Sequence, residues 1–320
     1  AVIAAVLHSQ GGFMAALEGL AQIQDPEVSQ APGVFASFFG PDPLNLLGVV
    51  LLTSLGTWGL PQMVQKFYAI KDEKAIDTGM VISTVFAAIV AGGCYFLGGF
   101  GRLFSDKVDL AAGGYDSIIP TMLSGLPDLL IAVVVILVLS ASMSTLSSLV
   151  IASSSTLTID LIKDNLVKDM DDKKQVRIIR VLIVVFIAIS AVLAIVQYKN
   201  NITFIAQLMG VSWGALAGAF LAPFLYGLYS KRVTKASVWV SFIFGAGIMV
   251  LNMLFRSSFP VLLQSPINCG AFAMIAGLVL VPLVSLFTPK LDKKLVDEAF
   301  ACYDKKIEVP VSMALGDGEK

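Results

Sequence analysis

The chain has 320 residues, 57% of them hydrophobic and 14% charged, and its mean hydropathy of +0.84 excludes an ordinary water-soluble protein. Its formal net charge of -1, with no basic patch interleaved with aromatics, excludes nucleic acid as a partner. Cys94, Cys269 and Cys302 stand too far apart for a metal-ligand spacing and say nothing about redox compartment. Several charge-free runs of about twenty residues or more are long enough to cross a bilayer, so the fold class is an all-α polytopic membrane protein.

In chain order, residues 1–8 read as the end of a transmembrane helix, and since no basic region precedes them they do not read as a signal peptide. The chain is therefore expected to be a fragment. A segment over 9–43 carries Glu18, Asp25, Glu27 and Asp42 but neither Lys nor Arg, and GGFMAALEGLAQI within it predicts a short surface helix. The first full crossing, 44–70, is interrupted by Gly56, Thr57, Trp58, Gly59, Leu60 and Pro61. Pro61 lacks an amide proton and clashes with the preceding turn, while Gly56 and Gly59 tolerate dihedrals closed to other residues, so two half-helices are predicted.

The second crossing is predicted over 78–98, and the third begins near Pro127 and reaches Lys163. Its first half is plain hydrocarbon. Between Ser140 and Thr158, however, eleven of nineteen residues are Ser or Thr, and no charge falls between Asp128 and Asp160. On a helix, Ala141, Ser144, Thr145, Ser148 and Ser155 fall within an arc of roughly 100 degrees, one narrow hydroxyl stripe at membrane depth. Such oxygens, with any carbonyl freed from the ladder, suit a hard cation. Further crossings are predicted over 181–198, 202–229, 236–255 and 267–287. The one over 202–229 carries Gly210, Gly214 and Gly218 at fourfold spacing, a face that lets another backbone come close. Nothing beyond Pro289 reads as membrane-embedded.

Charge bias fixes an orientation. With the acidic 9–43 loop outside, alternate loops hold Lys66, Lys71 and Lys74; Lys163, Lys168, Lys173, Lys174, Arg177 and Arg180; Lys231, Arg232 and Lys235; and six lysines after Pro289. That places 18 of the 22 basic residues on the cytoplasmic side, with only Arg102, Lys107, Lys199 and Arg256 outside. The C-terminus is thus expected in the cytoplasm, and the protein in the plasma (inner) membrane. A broken helix beside a hydroxyl-bearing one is the combination expected of a secondary transporter, whose unwound backbone meets solute and ion near the midplane. Taken singly, each sign has a plainer reading: a kinked packing helix for Pro61, and interhelical packing through small residues for the stripe.

The run Ala141, Ser142, Met143, Ser144, Thr145, Leu146, Ser147, Ser148, followed by the Ser-rich stretch 153–163 ending in Asp160, Leu161, Ile162 and Lys163, resembles the signature of the sodium:solute symporter family. Gly59, Leu60 and Pro61, the loop from Lys71 to Ala75, and Ile119, Pro120, Thr121, Met122 and Leu123 resemble its pantothenate-carrier branch, and the likeness runs along nearly the whole chain. The resemblance implies a leucine-transporter-type inverted-repeat fold. Residues 1–8 would end the fifth core helix, 9–43 would be an extracellular loop and 44–229 the second five-helix repeat. Residues 230–288 would be two peripheral transmembrane helices, and 289–320 a cytoplasmic tail.

The same resemblance implies a sodium ion, co-transported, held by the Ala141 carbonyl and the hydroxyls of Ser144 and Thr145. Ser147 and Ser148 match positions that in some members form a second sodium site, so the stoichiometry stays open. The solute is expected between the first and sixth core helices, against Thr53, Thr57 and Trp58, with Gln207 and Trp213 as further candidates. Proline carriers have aromatic residues about one and two turns before the break proline, where this chain has Thr57 and Thr53, so a small carboxylate such as pantothenate fits better. Trp58 reads equally as a packing or gating aromatic, and His8 as incidental. The partners implied are a small-molecule solute, the lipid bilayer and N-terminal helices of the same protein that this chain lacks. A symporter-like sensor domain of a signalling protein is the alternative; an enzyme would need a catalytic constellation at depth, which the crossings do not contain.

Overall fold

The structure, a computed structural model, describes residues 1–304 apart from 26, 27, 29, 30, 65, 66, 68, 69, 109–113, 168, 169 and 201–204. Glu27, Lys66, Lys168, Lys305, Lys306, Lys320 and the expected start of a crossing at 202 lie outside the described residues. The chain is an all-α polytopic membrane protein, with six helices among the described residues long and apolar enough to cross a membrane and a shorter apolar stretch at Pro43–Gly59. It divides into two compact units, Ala1–Leu47 with Pro61–Met209, and Gly48–Leu60 with Gly210–Lys320.

In the first unit, helices α1 (Val2–Ser9) and α2 (Phe13–Gln22) meet the segment Gly101–Lys107 and a short helix at Ile118–Leu123 around a small apolar core. Val6, Leu20, Phe100, Phe104 and Met122 fill it. Arg102, beside this core, donates to Asp25 at 2.6 Å and lies 4.5 Å from the Phe35 ring centroid, so it ties both residues to it. Its three long helices are Glu73–Gly99, Asp128–Thr156 and Asp172–Asn200. The first is capped by the Asp72 carboxylate, which accepts from the Ala75 N–H at 2.7 Å. The Ser-rich helix Asp128–Thr156 runs on as a π-helix, Leu157–Leu166, packing with Asp172–Asn200 into a hairpin. Lys163 donates to the Gln175 amide oxygen at 3.3 Å across that hairpin's turn.

The second unit is built on close helix contact. Its long helices, Ile205–Tyr229 from Gly210 onward, Lys235–Leu254 and Pro266–Phe287, pack through small residues. A Cβ on Gly214 would stand 2.7 Å from the Gly270 Cα and 2.9 Å from Met249, so two backbones touch where only glycine fits. Each outer helix of the three contains an interior proline, Pro223 and Pro282, which cannot donate to the carbonyl four residues back. Both orphaned carbonyls are claimed by a hydroxyl of a neighbouring helix. Ser241 donates to Ala219 at 3.0 Å, and Tyr226 donates to Leu278 at 2.9 Å.

Two further hydroxyl pairs tie the start of Lys235–Leu254 to the end of Pro266–Phe287: Thr234 with Thr288 at 2.6 Å, and Ser285 to Ser237 at 2.9 Å. Thr234 and Ser237 also form a capping box that satisfies the first amides of Lys235–Leu254. At the opposite end, the short helix Val261–Gln264 has its last carbonyls met by side chains. Asn268 donates to Leu262 at 3.1 Å, Asn252 to Leu263 at 2.6 Å and Arg256 to Gln264 at 2.8 Å. Beyond Pro289 the described residues include an amphipathic helix, Lys293–Phe300, fastened by Lys231 to Asp297 at 3.5 Å and by the Tyr303 hydroxyl to the Leu228 carbonyl at 2.9 Å.

Candidate functional site

The helix Pro43–Leu55 stops at Gly56. Residues Gly56–Gly59 form a 3-10 turn, Leu60 is extended (φ -90, ψ 113), and Pro61 opens the short helix Pro61–Val64. A residue before proline is pushed out of the helical region, which accounts for Leu60. Gly59 is buried, and a Cβ there would lie 2.8 Å from the Ala217 Cα and 2.9 Å from Leu221, so the turn itself is held against a neighbouring helix of its unit. The Trp213 ring edge comes within 3.8 Å of where a Cβ on Gly56 would sit. Thr53 and Thr57 turn their hydroxyls onto the carbonyls of Val49 (2.8 Å) and Ser54 (2.9 Å), one turn back. Trp58 is 61% exposed. Thr53, Thr57, Trp58 and Trp213 belong to the second unit, and Gln207 to the first.

On the Ser-rich helix of the first unit, Ser144 and Thr145 both donate to the Ala141 carbonyl, at 2.9 and 3.0 Å. Three uncharged oxygens therefore converge within one turn. Ser148 continues the stripe by donating to the Thr145 carbonyl at 2.9 Å, whereas Ser147 donates to Met143 at 2.8 Å and so belongs to another face. All four side chains are exposed, and each hydroxyl keeps lone pairs after giving its hydrogen to the backbone. Back-bonding of this kind is ordinary for Ser and Thr in helices, and Ser83 and Thr84 do the same to Met80 at 3.2 and 2.7 Å. What distinguishes 141–145 is the continuation: Ser148 and then Ser155 stand further along one face of a helix without charges from 129 to 159.

Other polar groups escape a sequence reading. Ser154 is buried with its hydroxyl unpartnered among the described residues, and Thr158, equally buried, donates to the Ser154 carbonyl at 2.7 Å. Tyr226 and Ser241 hold the proline-freed carbonyls. The spacing rule for proline marks Ala219 and Leu278 in advance, but no local signal names the partner. Among the described residues, no group of three or more His, Cys, Asp or Glu side chains could hold a metal.

A family model for the sodium:solute symporter family matches residues 1–245, leaving Pro266–Phe287 and the tail outside the match. That is less of the chain than the nearly complete likeness read from its motifs. The chain is 26% identical over 250 residues to the sodium/pantothenate symporter of Haemophilus influenzae, covering 77% of this chain and 49% of the relative. It is 26% identical over 272 residues to the sodium/pantothenate symporter of Escherichia coli, covering 83% and 54%. It is also 25% identical over 267 residues to the osmoregulated proline transporter of Bacillus subtilis, covering 82% and 51%. The chain spans about half the length of the curated relatives it matches. These relatives are transporters, not enzymes.

Proposed function

Since the chain belongs to the sodium:solute symporter family, we propose that it forms part of a sodium-coupled symporter that imports a small organic solute by alternating access, a carboxylate such as pantothenate being the preferred cargo. The observation that carries this reading is the convergence of the Ala141 carbonyl with the Ser144 and Thr145 hydroxyls on a charge-free helix at membrane depth. A sodium ion takes about five or six oxygens, so three from one turn are half a site. The remainder would come from helices outside this chain. The most apolar windows of Glu73–Gly99, Asp128–Thr156 and Asp172–Asn200 are 0% buried, which is consistent with more protein or lipid packing there. Ser147 and Ser148 would serve a second ion where one is used.

Solute would approach the break at Gly56, Gly59 and Pro61, where a 3-10 turn and an extended Leu60 interrupt the helical ladder, with Thr53, Thr57, Trp58 and Trp213 as its candidate contacts and Gln207 as a further candidate from the family resemblance alone. With Thr53 and Thr57 at the positions where proline carriers have aromatic residues, the site lacks rings to pack on proline, which favours another small carboxylate. By the positive-inside bias the C-terminus would face the cytoplasm, and the plasma membrane is the location expected of a symporter of this family.

Uptake into proteoliposomes tests this. The complete protein is expected to accumulate labelled pantothenate under an inward sodium gradient and much less without one, while the 320-residue chain alone transports nothing. Accumulation independent of sodium would refute symport, and sodium-driven uptake by the chain alone would refute the half-site.

A further inference from the structure

In the second unit, where Ile205–Tyr229 turns into Lys235–Leu254, a cavity of about 120 Å³ opens against the end of Pro266–Phe287. Tyr226, Ser230, Arg232, Pro282, Ser285 and Leu286 contribute to its lining. Two of the polar groups there already have partners: the Tyr226 hydroxyl donates to the carbonyl that Pro282 leaves free, and the Ser285 hydroxyl donates to Ser237. The Ser230 hydroxyl accepts from the Arg232 N–H at 3.3 Å. What the cavity offers a visitor is therefore an apolar wall of Val233, Val281, Pro282 and Leu286, and one cation.

That cation is differently placed from its neighbour. Lys231 is paired with Asp297 at 3.5 Å and lies 5.4 Å from the Phe300 ring centroid. Arg232 is exposed and has no ion pair among the described residues, and Lys235 follows at the start of the next helix. An unpaired guanidinium at the rim of an apolar slot, at the ends of three membrane-crossing helices, matches a molecule with an anionic head and an apolar tail at that depth. A free phosphate would satisfy the guanidinium but would find no use for the apolar wall, and a neutral lipid would fill the slot but leave the cation unmatched.

We propose that this cavity is a binding site for one anionic phospholipid, with the phosphate held by Arg232 and the adjoining acyl methylenes lying against Val281, Pro282 and Leu286. Guanidinium meets phosphate through two parallel hydrogen bonds, a geometry an ammonium does not reproduce. With the orientation set by the basic loops the site faces the inner leaflet, where anionic lipids collect at basic residues. Sodium and solute play no part in it, so its test is independent of transport.

Native mass spectrometry of the 320-residue chain, released from neutral detergent with added lipid, reads the site directly. Dioleoyl phosphatidylglycerol is expected to bind with a stoichiometry of one, roughly fivefold or more tighter than dioleoyl phosphatidylcholine, as one cation near the surface would give. Arg232→Gln should bring the two lipids together, Arg232→Lys should keep part of the preference, and Lys231→Gln should leave it largely in place. Glycerol phosphate should not compete. Equal binding of the two lipids by the parent chain, or a preference that survives Arg232→Gln, would overturn the proposal. Competition by glycerol phosphate at the lipid's own concentration would overturn the phospholipid as occupant and leave a plain anion site. Should Arg232→Gln fail to fold, the parent's preference and Arg232→Lys decide the matter by themselves.

Discussion

Tyr226 illustrates how single side chains hold this molecule together. Its hydroxyl donates at 2.9 Å to the Leu278 carbonyl, which Pro282 strips of its own ladder partner. Removing that hydroxyl in Tyr226→Phe should cost about 1 kcal/mol, the usual worth of such a bond inside a membrane bundle. The cost should shrink in a Pro282→Ala background, because the substitution restores a backbone N–H that can donate to the Leu278 carbonyl. Unfolding of the parent, the two single variants and the double variant in mixed micelles gives the coupling, and equal costs in both backgrounds would show that the hydroxyl's contribution does not depend on the carbonyl that proline frees. Pro223 and Pro282 mark the carbonyls of Ala219 and Leu278 once the helix bounds are known, since a proline inside a helix frees the fourth carbonyl back. Ser241 and Tyr226 were not, because which hydroxyl reaches them depends on how three helices rotate against each other. The convergence of Ala141, Ser144 and Thr145 was legible for the opposite reason: they lie within one turn, so helical periodicity brings them together, whereas the proposal that they hold sodium comes from the family resemblance.

Among the elements, long apolar runs announced the crossings, while their ends moved. The helix predicted over 78–98 begins at Glu73 and the one predicted over 181–198 begins at Asp172, because a charged first turn outside the bilayer costs a helix little. The π-helical continuation Leu157–Leu166 left no mark that periodicity could detect. The stretch around Pro61 was readable from Gly and Pro, but its 3-10 form and its close packing belong to tertiary structure. Gly59 is where that packing is tightest. In Gly59→Val the added atoms would meet Ala217 and Leu221 at under 3 Å, so the unit should lose about 1–3 kcal/mol of stability to overpacking. An unchanged unfolding midpoint would mean that the turn is not seated against that helix.

For the whole molecule, the family is settled and the activity rests on proposal, since the chain spans about half of its relatives. Orientation is the first whole-molecule prediction. Lys163, Lys173, Lys174, Arg177 and Arg180 flank a turn that should stay on the cytoplasmic side. A single cysteine at Asp171 should therefore react with an impermeant maleimide only after permeabilisation, and labelling from outside intact cells would invert the topology. The central claim, that the Ala141, Ser144 and Thr145 oxygens hold the coupling ion, is tested most directly by the sodium activation curve of solute uptake by the complete protein carrying Thr145→Ala. Alanine keeps the helix, so the loss should be confined to one oxygen ligand. Half-saturation by sodium should rise roughly tenfold or more, as a lost ligand worth about 1.4 kcal/mol requires, with little change in solute affinity at saturating sodium. A Thr145→Ala curve that overlays the parent's would contradict the account, and the stripe would then be a surface for helix packing.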